Sequence, residues 1–184
     1  MIEHVPKIKK VAVVGAGTMG SGIAQRIAQE GVDVVVVDTE DRLVESGMGK
    51  IRKTLAEAAE RKIFTPEQTK GILNNIRGTT DLEAVRDADI VIEVIFEDLA
   101  IKSALFKKLD AICGERTVLA SNTSSLSITE LSSFVKRRDR FLGLHFFYHP
   151  AKNKLLEIVP AEGTSGATVS LALAFSKLIG KTAI

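Results

Sequence analysis

The segment GLHFFYHPAKNKLLEIVP, residues 143–160, places two ionisable side chains inside apolar runs of strand length. His145 lies in the first run, and Glu157 follows twelve residues later in the second. If the two strands are neighbours, the carboxylate can reach the imidazole, fix its tautomer and stabilise imidazolium, as a general base requires. A buried His–Glu pair with a structural role fits the same spacing. A second histidine, His149, is the other candidate for the base, although it is expected in the loop between the strands.

A glycine-rich turn near the N-terminus has the spacing of a dinucleotide-binding site, G-x-G-x-x-G between a strand and a helix. The turn consists of Gly15, Ala16, Gly17, Thr18, Met19 and Gly20. Its glycines permit a tight turn and a close approach of pyrophosphate, which the positive end of the helix attracts. Asp38 ends the next strand, where a carboxylate favours NAD over NADP. FAD uses the same pattern, and a tight turn without ligand is the alternative.

Polar side chains follow the next two predicted strands. Glu97 comes after the run VIEVIF, which itself contains Glu93, and Lys102 lies near the start of the following helix. The cluster SNTSS, residues 121–125, follows the strand TVLA. Because the carboxyl ends of parallel strands face one ligand crevice, we expect these groups on the same rim. A solvated charged turn and a simple helix cap are the alternatives.

Strands and helices alternate along the chain, which predicts an α/β fold of the Rossmann type. The sheet is expected to be doubly wound and mostly parallel, with a helical hairpin inserted after the second strand. The hairpin spans residues 40–76 and breaks near Thr65, which could cap the second helix ahead of Pro66. The predicted strands are residues 11–14 and 32–37, ADIVIEVIF, TVLASN, FLGLHFF and KLLEIV, and residues 181–184 resemble the start of another.

Composition excludes several classes of partner. The 25 basic and 23 acidic residues give a net charge of +2, so we expect no nucleic acid partner. No apolar run reaches the roughly 20 residues of a membrane span, and MIEHVPKIKK lacks a secretion-signal core. The single cysteine, Cys113, suits the reducing cytoplasm and is expected to pack as a small apolar side chain. We expect no metal site.

The motifs together resemble the L-3-hydroxyacyl-CoA dehydrogenase (3-hydroxybutyryl-CoA dehydrogenase) family. The resemblance runs from residue 9 to 182 through VAVVGAGTMGSGIAQ, VIEVIFEDLAIKSALFKKLD, LASNTSSLSITEL, GLHFF and KLLEIV. It implies an NAD-binding dehydrogenase domain over residues 1–184, acting on 3-hydroxyacyl-CoA in fatty-acid β-oxidation or butanoate metabolism. The family's helical C-terminal domain, with its dimer contacts, is not part of this sequence. The resemblance therefore implies a homodimeric parent protein.

The resemblance also implies roles for single residues. The family's catalytic dyad falls on His145 and Glu157, and its oxygen-binding serine falls on Ser124. Its cofactor-contacting acid, lysine and asparagine fall on Glu97, Lys102 and Asn122. By position in the hairpin, Thr54 and Arg61 would contact CoA.

One departure concerns the loop beside the dyad. Many relatives have Asn-Pro after His-Phe-Phe, whereas this chain has Tyr148, His149 and Pro150. Two other functions are compatible with the pattern: a dehydrogenase of a free hydroxy acid, and a non-catalytic NAD-binding relative such as a sensor. Dependence on CoA would separate the first from the proposed family, and turnover would separate the second.

Overall fold

The computed structural model describes residues 7–184; most of the segment used to judge a secretion signal, residues 1–6, lies outside the described residues. Eight strands form one sheet: β1 Lys10–Val14, β2 Asp33–Val37, β3 Ile76–Thr79, β4 Ile90–Glu93, β5 Val118–Ser121, β6 Phe141–Phe146, β7 Leu155–Pro160 and β8 Thr182–Ala183. Six helices accompany them: α1 Thr18–Ala28, α2 Asp41–Glu60, α3 Pro66–Asn74, α4 Leu99–Ile112, α5 Ile128–Ser132 and α6 Gly166–Leu178.

The sheet has the order β3-β2-β1-β4-β5-β6-β7-β8 and is parallel except for the β6–β7 pair. The order reverses between β1 and β4, which is the switch point where dinucleotides bind in this architecture. The predicted Rossmann-type, mostly parallel sheet is therefore confirmed, and so is a final strand near residue 182.

The strands β1, β2, β4, β5 and β6 are almost entirely buried, as the apolar strands of a parallel sheet covered on both faces require. Alternate residues of β1 enter different cores: Val11 and Val13 pack with α1, α2 and α6, whereas Ala12 and Val14 pack with α4 and α5. Cys113 belongs to the second core, and burial raises the pKa of its thiol to about 11. Its predicted role as a small apolar side chain is confirmed.

The helical hairpin after β2 is formed by α2 and α3. Thr65 caps α3 as predicted, since its hydroxyl accepts from the N–H of Gln68 while the Gln68 side chain accepts from the N–H of Thr65. The end of the hairpin is different from the prediction, because Ile76 begins β3. This strand carries few apolar residues and depends on pairing with β2, and Gly78 leaves room for Val44 of α2 directly above it.

Two further elements, a strand and a helix, end earlier than the sequence predicts. Strand β4 ends at Glu93, although the N–H of Val94 still donates to the carbonyl oxygen of Val14 in β1. Helix α5 ends at Ser132. None of the helices in residues 7–184 is long and apolar enough to cross a membrane.

Candidate active site

The glycine turn between β1 and α1 depends on close backbone contacts. Gly15 has a φ of +112°, and a Cβ there would lie 2.4 Å from the carbonyl oxygen of Val94. A Cβ on Gly20 would lie 1.8 Å from the carbonyl oxygen of Gly15. Gly17 is exposed, and a Cβ there would meet no atom within 4 Å. The turn therefore needs its first and third glycines for folding and leaves open space at the second.

The first turn of α1 is suited to bind an anion. Its N-cap is Gly17, which has no side chain to satisfy the free N–H groups, whereas side chains cap helices α3 to α6. The free N–H groups and the helix dipole attract phosphate oxygens. The chain thus fits the pyrophosphate of a dinucleotide at this point.

One cavity of about 510 Å³ lies against this helix end. Nine of the ten predicted cofactor residues line it: Gly15, Ala16, Gly17, Thr18, Met19, Asp38, Glu97, Lys102 and Asn122. Gly20 is the exception, because it is buried where α1 packs on Gly15 and Val13. Sequence reasoning did not identify Lys50 of α2, which also lines this cavity. A lone exposed lysine in a long helix gives no signal of such a position.

Asp38 lies at the end of β2 and is bound to the glycine turn. Its Oδ2 accepts from the N–H of Ala16 at 2.7 Å, and its Oδ1 accepts from the N–H of Thr39 at 2.7 Å. A carboxylate has about four lone-pair sites, so acceptors remain for ribose hydroxyls. Asp38 can therefore fix the turn and bind a ribose at the same time.

A buried ion pair lies next to this cavity, since Lys102 lines it. Lys102 Nζ is 2.5 Å from Glu93 Oε1, and both side chains are almost fully buried. Glu93 also accepts from the hydroxyl of Ser121 at 2.6 Å and from the N–H of Ile95 at 2.8 Å. Contact of Lys102 with the cofactor stays a prediction; in the structure its ammonium binds Glu93, Glu97 and the carbonyl oxygen of Ile95. The signal for Glu93 was a charged residue inside the apolar run of β4.

Glu97 connects this ion pair to the loop after β5. Its carboxylate accepts from the hydroxyls of Thr123 and Ser125 and lies 3.2 Å from Lys102 Nζ. Burial opposes ionisation, but these hydrogen bonds and the charge of Lys102 together hold the pKa of Glu97 below its usual value. The carboxylate is therefore ionised at neutral pH and bonded within the rim.

The SNTSS cluster divides into residues with and without hydrogen-bond partners. Thr123 and Ser125 bind Glu97, and the Oδ1 of Asn122 accepts from the N–H of Phe146 at 2.8 Å. The Nδ2 of Asn122 and the hydroxyl of the exposed Ser124 make no hydrogen bond within residues 7–184. These two groups are free to bind a ligand. None of the five residues is the N-cap of α5, which is Ser127.

His145 and Glu157 are paired directly across the antiparallel strands β6 and β7. His145 Nδ1 lies 2.9 Å from Glu157 Oε2, so Nδ1 carries a proton towards the carboxylate and Nε2 is left as the free nitrogen. The side chains of His145 and Glu157 are 20% and 45% exposed, so the pair is not fully buried. Neither residue lines the cavity at the glycine turn, which we call the cofactor cavity. Asn122 does line it, and its side chain accepts from the N–H of Phe146, the residue that follows His145.

Two more cavities, of about 290 and 240 Å³, lie between α1, α2 and the loop after β6. Thr54 lines both, and Arg61 lines the second. Tyr148 and His149 line the first, with their ring centres 3.8 Å apart and the ring planes tilted by 34°. The predicted CoA residues and the unusual loop therefore share one surface. Within residues 7–184, no group of three or more potential ligands could hold a metal ion.

The fold and site together define a dinucleotide-binding α/β domain with a His–Glu pair at its carboxyl edge. Residues 10–184 match the family model described as "3-hydroxyacyl-CoA dehydrogenase, NAD binding domain". The chain belongs to this family, and its cofactor is NAD, as the resemblance implies and as Asp38 favours over NADP.

Named relatives agree with this assignment. Mitochondrial hydroxyacyl-coenzyme A dehydrogenase of Sus scrofa is 44% identical over 181 residues, which cover 95% of this chain and 57% of the relative. Probable 3-hydroxybutyryl-CoA dehydrogenase of Bacillus subtilis is 42% identical, with 97% and 62% covered. The crystal structure of (S)-3-hydroxybutyryl-CoA dehydrogenase from Ralstonia eutropha has a TM-score of 0.95 and 39% identity, with 97% and 63% covered. The chain thus spans about three fifths of the length of these relatives.

Proposed function

We propose that this chain is the cofactor-binding part of an NAD-dependent oxidoreductase that converts (S)-3-hydroxyacyl-CoA to 3-ketoacyl-CoA. The observation that carries the proposal is the direct cross-strand pair of His145 and Glu157, 2.9 Å apart, next to a cavity lined by the glycine turn. Asn122 joins the two sites. Family membership and the names of the relatives support the same substrate class.

His145 is the proposed general acid and base. Because its Nδ1 is bonded to Glu157, its Nε2 takes the proton from the substrate hydroxyl. Glu157 stabilises the imidazolium that forms, and the free hydroxyl of Ser124 donates to the reacting oxygen. Bound NAD supplies the hydride acceptor. In the opposite direction, protonated His145 acts as the acid for a 3-ketoacyl-CoA.

Cofactor choice is tested by titrating this chain with NADH and with NADPH while following nicotinamide fluorescence. The proposal predicts saturable NADH binding and much weaker NADPH binding, because the carboxylate of Asp38 repels a 2′-phosphate. Gly17→Leu is the negative control: its side chain enters the space open to pyrophosphate, so this variant should bind neither nucleotide. Equal binding of both nucleotides would contradict the role of Asp38, and no binding of either would remove the hydride acceptor from the proposal.

Substrate class is tested with acetoacetyl-CoA and free acetoacetate, each with NADH. The proposal predicts reduction of the thioester only, with loss of activity in Thr54→Ala and Arg61→Ala through a raised KM. Reduction of the free acid at a similar kcat/KM would favour the free hydroxy acid dehydrogenase. NADH binding without turnover in the full-length protein would favour the non-catalytic relative.

A further inference from the structure

A buried lysine near the last strand holds the loop that joins the two strands of the dyad. This 147–154 loop leads from β6 to β7. Lys181 directly precedes β8 and is 6% exposed. Its Nζ donates to the carbonyl oxygen of Pro150 at 2.9 Å and to that of Asn153 at 2.5 Å. The same ammonium lies 5.3 Å from the ring centre of Phe146, next to His145.

Lys181 has no anionic partner to explain its burial. Within the part of the chain that the structure describes, it forms no ion pair with a carboxylate. Burial and the nearby charge of Arg26 lower its pKa to about 8. A buried ammonium is unfavourable unless hydrogen bonds satisfy it, and here backbone carbonyls of the loop do so. Lys181 therefore ties two backbone carbonyls of the loop to the residue before β8.

The loop is also fixed from its other side by the helix of the glycine turn. A Cβ on Gly22 of α1 would lie 2.6 Å from Cγ of Pro150, so the loop and the helix touch. Between them lies the cavity lined by Tyr148, His149 and Thr54. A change in the position of Pro150 would therefore alter the wall of this cavity.

We propose that Lys181 is a positioning residue that clamps the 147–154 loop in the conformation needed to admit the acyl-CoA substrate beside the dyad. The substrate part of this inference rests on the proposed function, whereas the clamp does not. Lys181 acts through Pro150 and Asn153 and does not line the cavity at the glycine turn. The clamp joins three distant parts of the sequence: α1, the 147–154 loop and the residue before β8.

Hydrogen exchange of the loop amides tests the clamp directly. The N–H groups of Lys152 and Asn153 both donate to the carbonyl oxygen of His149, so their exchange reports whether the loop keeps its shape. In wild type, both amides should exchange at least about tenfold slower than in an unfolded chain. Lys181→Met should remove most of this protection, while Lys154→Met, an exposed lysine of the same loop, should leave it unchanged.

Steady-state kinetics with acetoacetyl-CoA tests what the clamp does. Lys181→Met should raise the KM for acetoacetyl-CoA about tenfold, the equivalent of about 1.4 kcal/mol, with NADH affinity unchanged. Lys181→Gln, whose amide keeps two N–H donors on a shorter side chain without the charge, should fall between Met and wild type in both measurements. A role in folding alone would lower stability without changing KM.

Two results would overturn the clamp. One is unprotected Lys152 and Asn153 amides in wild type, a measurement that needs no variant. The other is equal loop exchange in Lys181→Met and wild type. If Lys181→Met loses the protection that wild type shows, but the wild-type full-length protein reduces no 3-ketoacyl-CoA, the proposed function fails and the clamp stands.

Discussion

Two parts of the sheet hold their functional residues in different ways. We call them the cofactor half, which contains β1, β2 and β4, and the dyad corner, which contains β6 and β7. In the cofactor half, β1, β2 and β4 are parallel, and the glycine turn and Asp38 are positioned by backbone contacts at strand ends. In the dyad corner, β6 and β7 are antiparallel, and the His145–Glu157 pair depends on strand register. A local motif specifies the first arrangement, whereas long-range pairing specifies the second.

This difference predicts different responses to mutation. The cofactor half contains buried charges and sterically closed glycines, so substitutions there should affect folding strongly. The dyad corner is partly exposed, with Glu157 45% exposed, so substitutions there should affect chemistry more than stability.

The largest effect on stability is expected at Lys102. Lys102→Met leaves Glu93 buried without its counterion, which should destabilise the chain by about 3–5 kcal/mol in urea unfolding. Lys108→Met, on the exposed face of the same helix, is the control and should change stability by less than about 0.5 kcal/mol. Adding Glu93→Gln to Lys102→Met should recover part of the loss. Wild-type stability in Lys102→Met would show that the buried pair does not support the cofactor half.

The next largest effect separates two glycines of the same turn. Gly20→Ala forces a Cβ against the carbonyl oxygen of Gly15 and should destabilise the chain by about 3 kcal/mol. Gly17→Ala meets no atom and should preserve the thermal midpoint while weakening NADH binding. Unfolding and nicotinamide fluorescence measure both variants. Similar loss of stability in the two would contradict the separate roles of these glycines.

The turn, Asp38 and the alternation of strands and helices could be predicted because each depends on residues close in sequence. Strand β3 was missed because Ile76–Thr79 has few apolar residues and is formed by pairing with β2. The partner of Lys102 could not be assigned because Glu93 comes nine residues earlier on another element. The contacts of Lys181 span 28 and 31 residues, beyond any local pattern. The register of β6 and β7 was only a condition in the sequence argument, and the structure meets it.

An intermediate effect is expected at Asp38, where binding and turn geometry overlap. Asp38→Asn keeps an acceptor for one backbone N–H but loses the charge, so NADH should bind about tenfold more weakly and the preference over NADPH should shrink. Asp33→Asn, at the other end of β2, is the control and should leave both affinities unchanged. Undiminished preference for NADH would remove Asp38 from cofactor selection.

The smallest effect concerns pH and the dyad corner. Burial lowers the pKa of Lys181 to about 8, whereas an unfolded chain holds lysine near 10.4. The unfolded state therefore binds more protons between about pH 8 and pH 10.4, and the contribution of Lys181 to stability rises with pH across that window. Lys181→Met should remove this rise, measured by urea unfolding at both ends of the window. Identical pH slopes in the two proteins would contradict the shifted pKa.

The central claim, that His145 is the acid and base of an NAD-dependent dehydrogenase, is tested most directly by His145→Gln in the full-length protein. Two quantities are measured together: kcat for acetoacetyl-CoA reduction and the affinity for NADH. The account predicts a fall in kcat of about 10²–10⁴-fold with NADH affinity unchanged, because general acid–base catalysis contributes about that much and the histidine lies outside the cofactor cavity. A kcat equal to that of wild type would contradict it.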